Sequence, residues 1–265
     1  MKIGIIGLGV VGGAVKHGLE KIGHTVRGFD IRMPETSLLN VLDTQLCFIC
    51  VPTPASSDGS CDCSVVKNVL KQLETQKYSG LVVIKSTVVP GTVDTLAKEY
   101  KLRLAFCPEF LRERASFTDF VENHDLCVIG VYTDSDYELI KEAHGKLPKN
   151  FSQLTPKEAE FSKYFSNVFN ALRIIFANEF YDVCTKVGAD YTRIKNAMVL
   201  RNTINDVYLD CNENFRGYGG MCLPKDTSAF AAFVKQIGSD MKLFELIVEE
   251  NKKFKTTIPE GMRIG

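Results

Sequence analysis

A single cysteine, Cys222, stands in the stretch GYGGMCLPKD (217–226), between a glycine-rich turn and a Pro-Lys-Asp that reads as the start of a helix. Gly217, Gly219 and Gly220 let the backbone turn closely around a bulky ligand, and Pro224 suits the first turn of a helix running through KDTSAFAAFVKQI. A thiol at a helix start, with Lys225 beside it, has its thiolate favoured by the local positive potential. That is the setting of a nucleophile. Cys47, Cys50, Cys127 and Cys184 instead fall among apolar neighbours and read as small buried residues. Glu109 and Glu113, in CPEFLRERASFTDF (107–120), are four residues apart. On a helical turn they would share a face, either as a proton acceptor with a polar clamp or as a solvated surface.

The motif GLGVVG (7–12) follows an apolar run and opens a helical pattern. Gly7 permits a tight turn, Gly9 lets the backbone approach a pyrophosphate, and Gly12 allows helix to pack closely on strand. About 20 residues on, the second strand ends in GFD, where Asp30 can accept hydrogen bonds from ribose hydroxyls. A carboxylate there repels a 2′-phosphate, so NAD is expected rather than NADP, with Arg32 softening the preference.

These residues need a scaffold. Short β-rich runs at 2–6, 25–29, 46–51, 81–85, 103–106 and 126–130 alternate with helical patterns at 11–22, 64–75, 92–100 and 134–145. Such alternation predicts an α/β fold, a Rossmann-type doubly wound parallel sheet covered on both faces. Loops 51–59 and 85–92 follow strand ends, where the hydroxyls of Thr53, Ser86 and Thr87 could meet a ligand or serve as ordinary caps. From 155 to 187 a Thr cap, a Pro and a Glu in the first turn precede a long apolar periodicity, which predicts one long helix. Further helices are expected at 190–199, 226–237 and 239–254. The domains are therefore placed at 1–150, binding the dinucleotide, and 151–265, mainly helical.

Composition excludes several functions. The 265 residues are 45% hydrophobic, and 32 basic side chains balance 32 acidic ones. Nothing global points to nucleic acid or to an anionic membrane surface. Nine scattered cysteines make no disulfide framework and suit a reducing, cytoplasmic setting. Cys47 and Cys50 would alternate to opposite faces of a strand, so no metal is expected. The first residues read as strand, turn and helix rather than a signal peptide, and no apolar run reaches the roughly 20 residues of a membrane span.

Taken in order, GLGVVG, CVPTP, KSTVVPGT, PEFLRE, EAEFSKYFSNVFNA, NEF and GYGGMCLPKD resemble the UDP-glucose/GDP-mannose dehydrogenase family. The resemblance implies oxidation of a sugar primary alcohol to an acid with NAD, UDP-glucose to UDP-glucuronate being favoured over UDP-N-acetyl sugars and GDP-mannose. It makes Cys222 the nucleophile, places Lys163 at the oxyanion with Asn167 in support, and gives Asp226 a part in the proton network. Glu109 would assist hydrolysis. The resemblance assigns the cofactor to Gly7, Gly9, Val10, Val11, Gly12, Asp30, Thr53, Thr87 and Glu113, with Thr87 also beside the chemistry. For substrate binding it points to Glu109, Phe110, Leu111, Lys163, Asn167, Tyr218 and Gly219, and to Arg201 reaching from a partner subunit. A homodimer through the central helices is implied. Departures from the family pattern are Val10, Cys107 and Arg114, together with the expected absence of a carboxy-terminal UDP-binding domain after NKKFKTTIPEGMRIG. A hydroxyacid-type dehydrogenase and a non-catalytic NAD-binding or assembly protein remain alternatives.

Overall fold

The computed structural model describes residues 1–56 and 60–255. The tail of the expected 51–59 loop (57–59) and the chain end (256–265) lie outside them. In chain order the elements are β1 (Lys2–Ile6), α1 (Val10–Lys21), β2 (Thr25–Phe29), β3 (Leu46–Ile49), α2 (Ser64–Thr75), β4 (Leu81–Ile84), α3 (Thr92–Glu99) and β5 (Arg103–Phe106). There follow α4 (Ser116–Val121), β6 (Leu126–Gly130), α5 (Asp134–His144), β7 (Asn150–Leu154), α6 (Pro156–Val187), α7 (Tyr191–Met198), α8 (Leu223–Gln236) and α9 (Leu243–Asn251). Two compact units result. One holds residues 1–54 and 61–163; the other holds 164–255 with the described part of 55–60.

The first unit is built on a sheet in the order β2-β1-β3-β4-β5-β6-β7. Every residue of β3 and β4 is buried, the signature of strands covered on both faces. On one face Cys47, Ile49, Val82, Ile84 and Phe106 pack with α2 and α3; on the other Ile3, Ile5, Phe48 and Val83 pack with α1 and α5. Cys47 and Cys50 belong to opposite faces, as strand alternation requires. From β1 the chain runs to β2 on one side and to β3 on the other, so the Gly7–Gly12 loop sits at the topological switch point.

The sheet is not wholly parallel, which corrects the sequence expectation in detail. β6 runs antiparallel to β5 and meets it at the single pair Phe106↔Gly130, and β7 pairs parallel with β6. The connection from β5 to β6 contains only a single 3₁₀ turn and the short α4, which packs so tightly on α1 that a Cβ at Gly18 would lie 2.4 Å from the Phe120 ring. A parallel return needs a full crossover, and this segment makes none. β7 escaped the sequence reading because its sequence, NFSQL, is polar. As an edge strand it pairs on one side only and needs no apolar run. The sheet-bearing unit accordingly extends past residue 150, through β7 and into the start of α6.

In α6 the expected cap is present. Thr155 N–H and Oγ1 both donate to Glu158 Oε2, and Glu158 N–H donates back to Thr155 Oγ1, a reciprocal capping box before Pro156. α8 begins three residues earlier than expected, at Leu223, which makes Cys222 its N-cap residue. In the second unit, Val168, Ala171, Ile175, Tyr218 and Ile247 form the main core.

Candidate active site

At the switch point Gly7 has φ +90°, and a Cβ there would press 2.6 Å from the Cys50 carbonyl oxygen. A Cβ on Gly12 would sit 1.8 Å from the Gly7 oxygen, so α1 can lie this close to β1 only with glycine. Gly9 is different: among the described residues only the tip of Arg32, at 3.9 Å, comes near its Cβ position. The loop therefore leaves an open backbone face at the amino end of α1, which has no side-chain cap and no acidic residue in its first turn. Unsatisfied N–H groups and a positive helix end fit a pyrophosphate. Val10 and Val11 open this helix.

Asp30 directly follows β2 and is buried. Its Oδ2 accepts from Leu8 N–H at 2.8 Å, and its Oδ1 accepts from Arg32 N–H at 2.9 Å and Nε at 3.3 Å. Burial opposes its charge, but these donors and the Arg32 guanidinium hold its carboxyl below the usual range. The carboxylate thus fastens the glycine loop to the end of β2 and remains an anion. The loop after β3 and that after β4 are tied together, because Thr53 Oγ1 donates to the Thr87 carbonyl at 2.7 Å. Ser86 Oγ turns inward to the Val51 carbonyl, also at 2.7 Å. Both hydroxyls are thus engaged by backbone, and Thr87 itself is half-buried.

Glu109 and Glu113 do not share a helical face. Residues 107–112 form an irregular loop, and Glu113 only opens a single 3₁₀ turn. The loop is pinned by Arg112, whose backbone N–H and guanidinium grip Asp119 and lower that carboxyl to about 2. Glu109 is buried between two lysines. Lys163 Nζ, on α6, donates to its carbonyl at 2.6 Å and lies 5.6 Å from the Phe110 ring centre; Lys85 Nζ sits 3.3 Å from Oε2. Leu111 packs on the sheet's second core face. Lys85 was missed by the sequence reading. A lysine ending the apolar strand LVVIK has to find anionic partners if buried, and that was the available signal. Burial opposes its charge, but Cys107 and Glu109 raise its pKa above the ordinary lysine value.

In the second unit Cys222 is exposed at the start of α8, and it is the sole exposed thiol of the nine. One turn on, Asp226 is buried; its Oδ2 accepts from Asn167 Nδ2 and its Oδ1 from Lys225 Nζ at 2.6 Å. The approach to Cys222 turns at Gly217 (φ +63°) and Gly220 (φ +82°). Gly219 is partly open, and Arg201 is exposed in the loop after α7. Tyr218 faces inward instead. Its hydroxyl lies 3.2 Å from both Thr227 Oγ1 and the Ile247 carbonyl, so its side chain is a core post of this unit.

A doubly wound sheet with an open glycine loop at its switch point, followed by a helical unit, defines the class of Rossmann-type dinucleotide-binding proteins. Family comparison narrows the class. Residues 34–147 match the NAD binding domain of the UDP-glucose/GDP-mannose dehydrogenase family, and residues 157–253 match its central domain. The chain belongs to the UDP-glucose/GDP-mannose dehydrogenase family, which classes it with the NAD-dependent oxidoreductases acting on CH–OH groups. It is 30% identical to UDP-glucose 6-dehydrogenase AglM of Haloferax volcanii over 95% of this chain and 69% of that protein. With the UDP-glucose 6-dehydrogenase of Rickettsia bellii it shares 32% identity over 84% of this chain and 53% of that one. The solved UDP-glucose dehydrogenase of Pyrobaculum islandicum superposes with a TM-score of 0.86 at 30% identity, covering 95% of this chain and 68% of that one. The chain thus spans about half to two thirds of the length of these relatives. Among the described residues, no helix is long and apolar enough to cross a membrane.

Proposed function

We propose that this chain carries out, or is the catalytic part of a protein that carries out, NAD-dependent oxidation of the C6 alcohol of a UDP-sugar, UDP-glucose first, to the acid. The supporting observation is the chemistry around Cys222: one exposed sulfur at a helix start, with a buried Asp226–Asn167 pair, held also by the partly exposed Lys225, a turn away. The names of the relatives supply the substrate class.

NAD held on the Gly7–Gly12 loop, with Asp30 toward the ribose, supplies the hydride acceptor. Thr87 and Glu113 are assigned to the nicotinamide side, and Thr53 to the cofactor. Oxidation of the alcohol to an aldehyde gives Cys222 an electrophilic carbon. The thiolate adds to form a thiohemiacetal, which prevents release of the aldehyde. Loss of a second hydride, for which a second NAD would be the acceptor, leaves a thioester, and water cleaves it to the carboxylic acid and the free thiol. Lys163 and Asn167, one turn apart on α6, are assigned to the developing oxyanion, where fixed donors in a water-poor setting act most strongly. Asp226 holds Asn167 and takes part in proton transfer, and Glu109 assists hydrolysis. Phe110, Leu111, Gly219 and Arg201 are assigned to the sugar nucleotide; Tyr218 serves its turn as a structural post.

The test mixes purified protein and NAD with UDP-glucose, GDP-mannose, UDP-N-acetyl sugars and a small hydroxyacid, and follows NADH. Two NADH per UDP-glucose are expected, and Cys222→Ser should fail to complete the oxidation. One NADH per hydroxyacid, unaffected by Cys222→Ser, would support the hydroxyacid alternative. NAD binding with no turnover of any substrate would leave a non-catalytic NAD-binding protein.

A further inference from the structure

Beneath the carboxyl end of β5 lies a cluster for which the proposed reaction has no use. Cys107, Cys127 and His144 are all buried, and one ligand atom from each lies within 4.8 Å of the others. The two sulfurs are 3.7 Å apart. A disulfide requires about 2.05 Å, whereas two thiolates on one tetrahedral zinc, each at about 2.3 Å, stand about 3.8 Å apart. His144 is set up as a ligand. Its Nδ1 lies 2.9 Å from the Ile140 carbonyl, so the ring's proton belongs on that nitrogen, while the buried Nε2 has no hydrogen-bond partner among the described residues. A backbone carbonyl on one ring nitrogen, leaving the other free for an ion, is the usual outer partner of a metal-bound histidine. Lys85 Nζ lies 3.4 Å from Cys107 Sγ and can hydrogen-bond to that sulfur when it is ligated.

We propose that Cys107, Cys127 and His144 form a structural site for a thiophilic divalent cation, Zn²⁺ by ligand chemistry, which ties β5, β6 and α5 together. The charges balance without solvent: two thiolates neutralise the ion, and Lys85 is matched by Glu109, 3.3 Å away. Each ligating thiol gives its proton to solvent. The location supplies the need for such a staple. β5 and β6 share the single backbone pair Phe106↔Gly130, the thinnest join in the sheet, and the three ligands come from just beyond β5, from β6 and from the end of α5.

The experiment measures zinc in the purified protein by mass spectrometry. It then strips the metal under reducing conditions and titrates Co²⁺, reading the thiolate-to-cobalt charge-transfer band. One ion per chain is expected in wild type and in Cys61→Ser/Cys63→Ser, with a higher melting temperature when loaded. In Cys127→Ser the affinity should fall by more than about 100-fold, beyond the loss typical of an outer partner alone. Should that variant not fold, X-ray absorption of the cobalt-loaded wild type decides, two sulfurs and a nitrogen being expected. Absence of the band with the thiols shown to be free, a band unaltered by Cys127→Ser, or a Cys107–Cys127 disulfide in the native protein would each overturn the proposal. None of these readouts depends on catalytic activity.

Discussion

Two neighbouring glycines on α1 face opposite constraints. At Gly12 an added Cβ would lie 1.8 Å from backbone oxygen, and backbone cannot swing aside as a side-chain tip can. At Gly13 the nearest atom among the described residues, the Leu8 carbonyl oxygen, would lie 3.8 Å away. Gly12→Ala should therefore push α1 away from the turn, lowering the melting temperature by several degrees and NAD affinity by about 100-fold or more. Gly13→Ala should keep NAD binding and gain about 0.5–1 kcal/mol from helix propensity. Calorimetric titration with NAD and thermal melts check both. Wild-type affinity in Gly12→Ala would remove the loop from the cofactor site. Asp30 was legible in the sequence for the same local reason, since loop and strand end are neighbours by construction of the βαβ unit. Its second task, holding Leu8 N–H, emerges only once β1 and β2 are side by side.

At the scale of elements, α6 does more than carry Lys163 and Asn167. Glu160, buried on its first turns, accepts from Gly91 N–H at 2.5 Å and Val93 N–H at 2.8 Å, and so caps α3 from another element. Burial pushes its carboxyl up to about 7 against the pull of those two donors. The ordinary value is 4.5, so between these limits the folded protein holds a proton that the unfolded chain has released. Stability falls as pH rises through that window, by about 3 kcal/mol at most, and the loss is complete above it. Glu160→Gln cannot ionise. The melting temperature of wild type minus that of the variant should decline by several degrees from pH 5 to pH 8. A constant difference would show that Glu160 is ionised throughout.

At the scale of the whole molecule, α6 presents Phe161, Phe165, Phe169, Phe176, Phe180, Val183 and Val187 to solvent, spaced by about one or two helical turns. Such a stripe on a long helix is the pattern of a helix that buries its outer face against a second copy. We infer a homodimer through α6. Light scattering should give a dimer at micromolar concentration, and Phe165→Glu/Phe169→Glu should give a monomer with unchanged helical circular dichroism. A monomeric wild type at that concentration would refute the inference.

Sequence alone determined what neighbours along the chain decide. The glycine loop, most strand and helix spans and the capping box at Thr155 all follow from steric limits and hydrogen bonds within a few residues. The helix start at Cys222 was legible for the same reason, although its first residue was placed three positions late. Tertiary structure decided what depends on distant segments meeting. It reversed β6 against β5, made polar NFSQL an edge strand, separated Glu109 from Glu113, and turned Tyr218 into a core residue. It also gathered Lys85, Cys107, Cys127 and His144, spread over 60 residues of chain, into one buried cluster. Pairing direction and side-chain convergence are set by through-space packing, and a one-dimensional pattern carries no record of it.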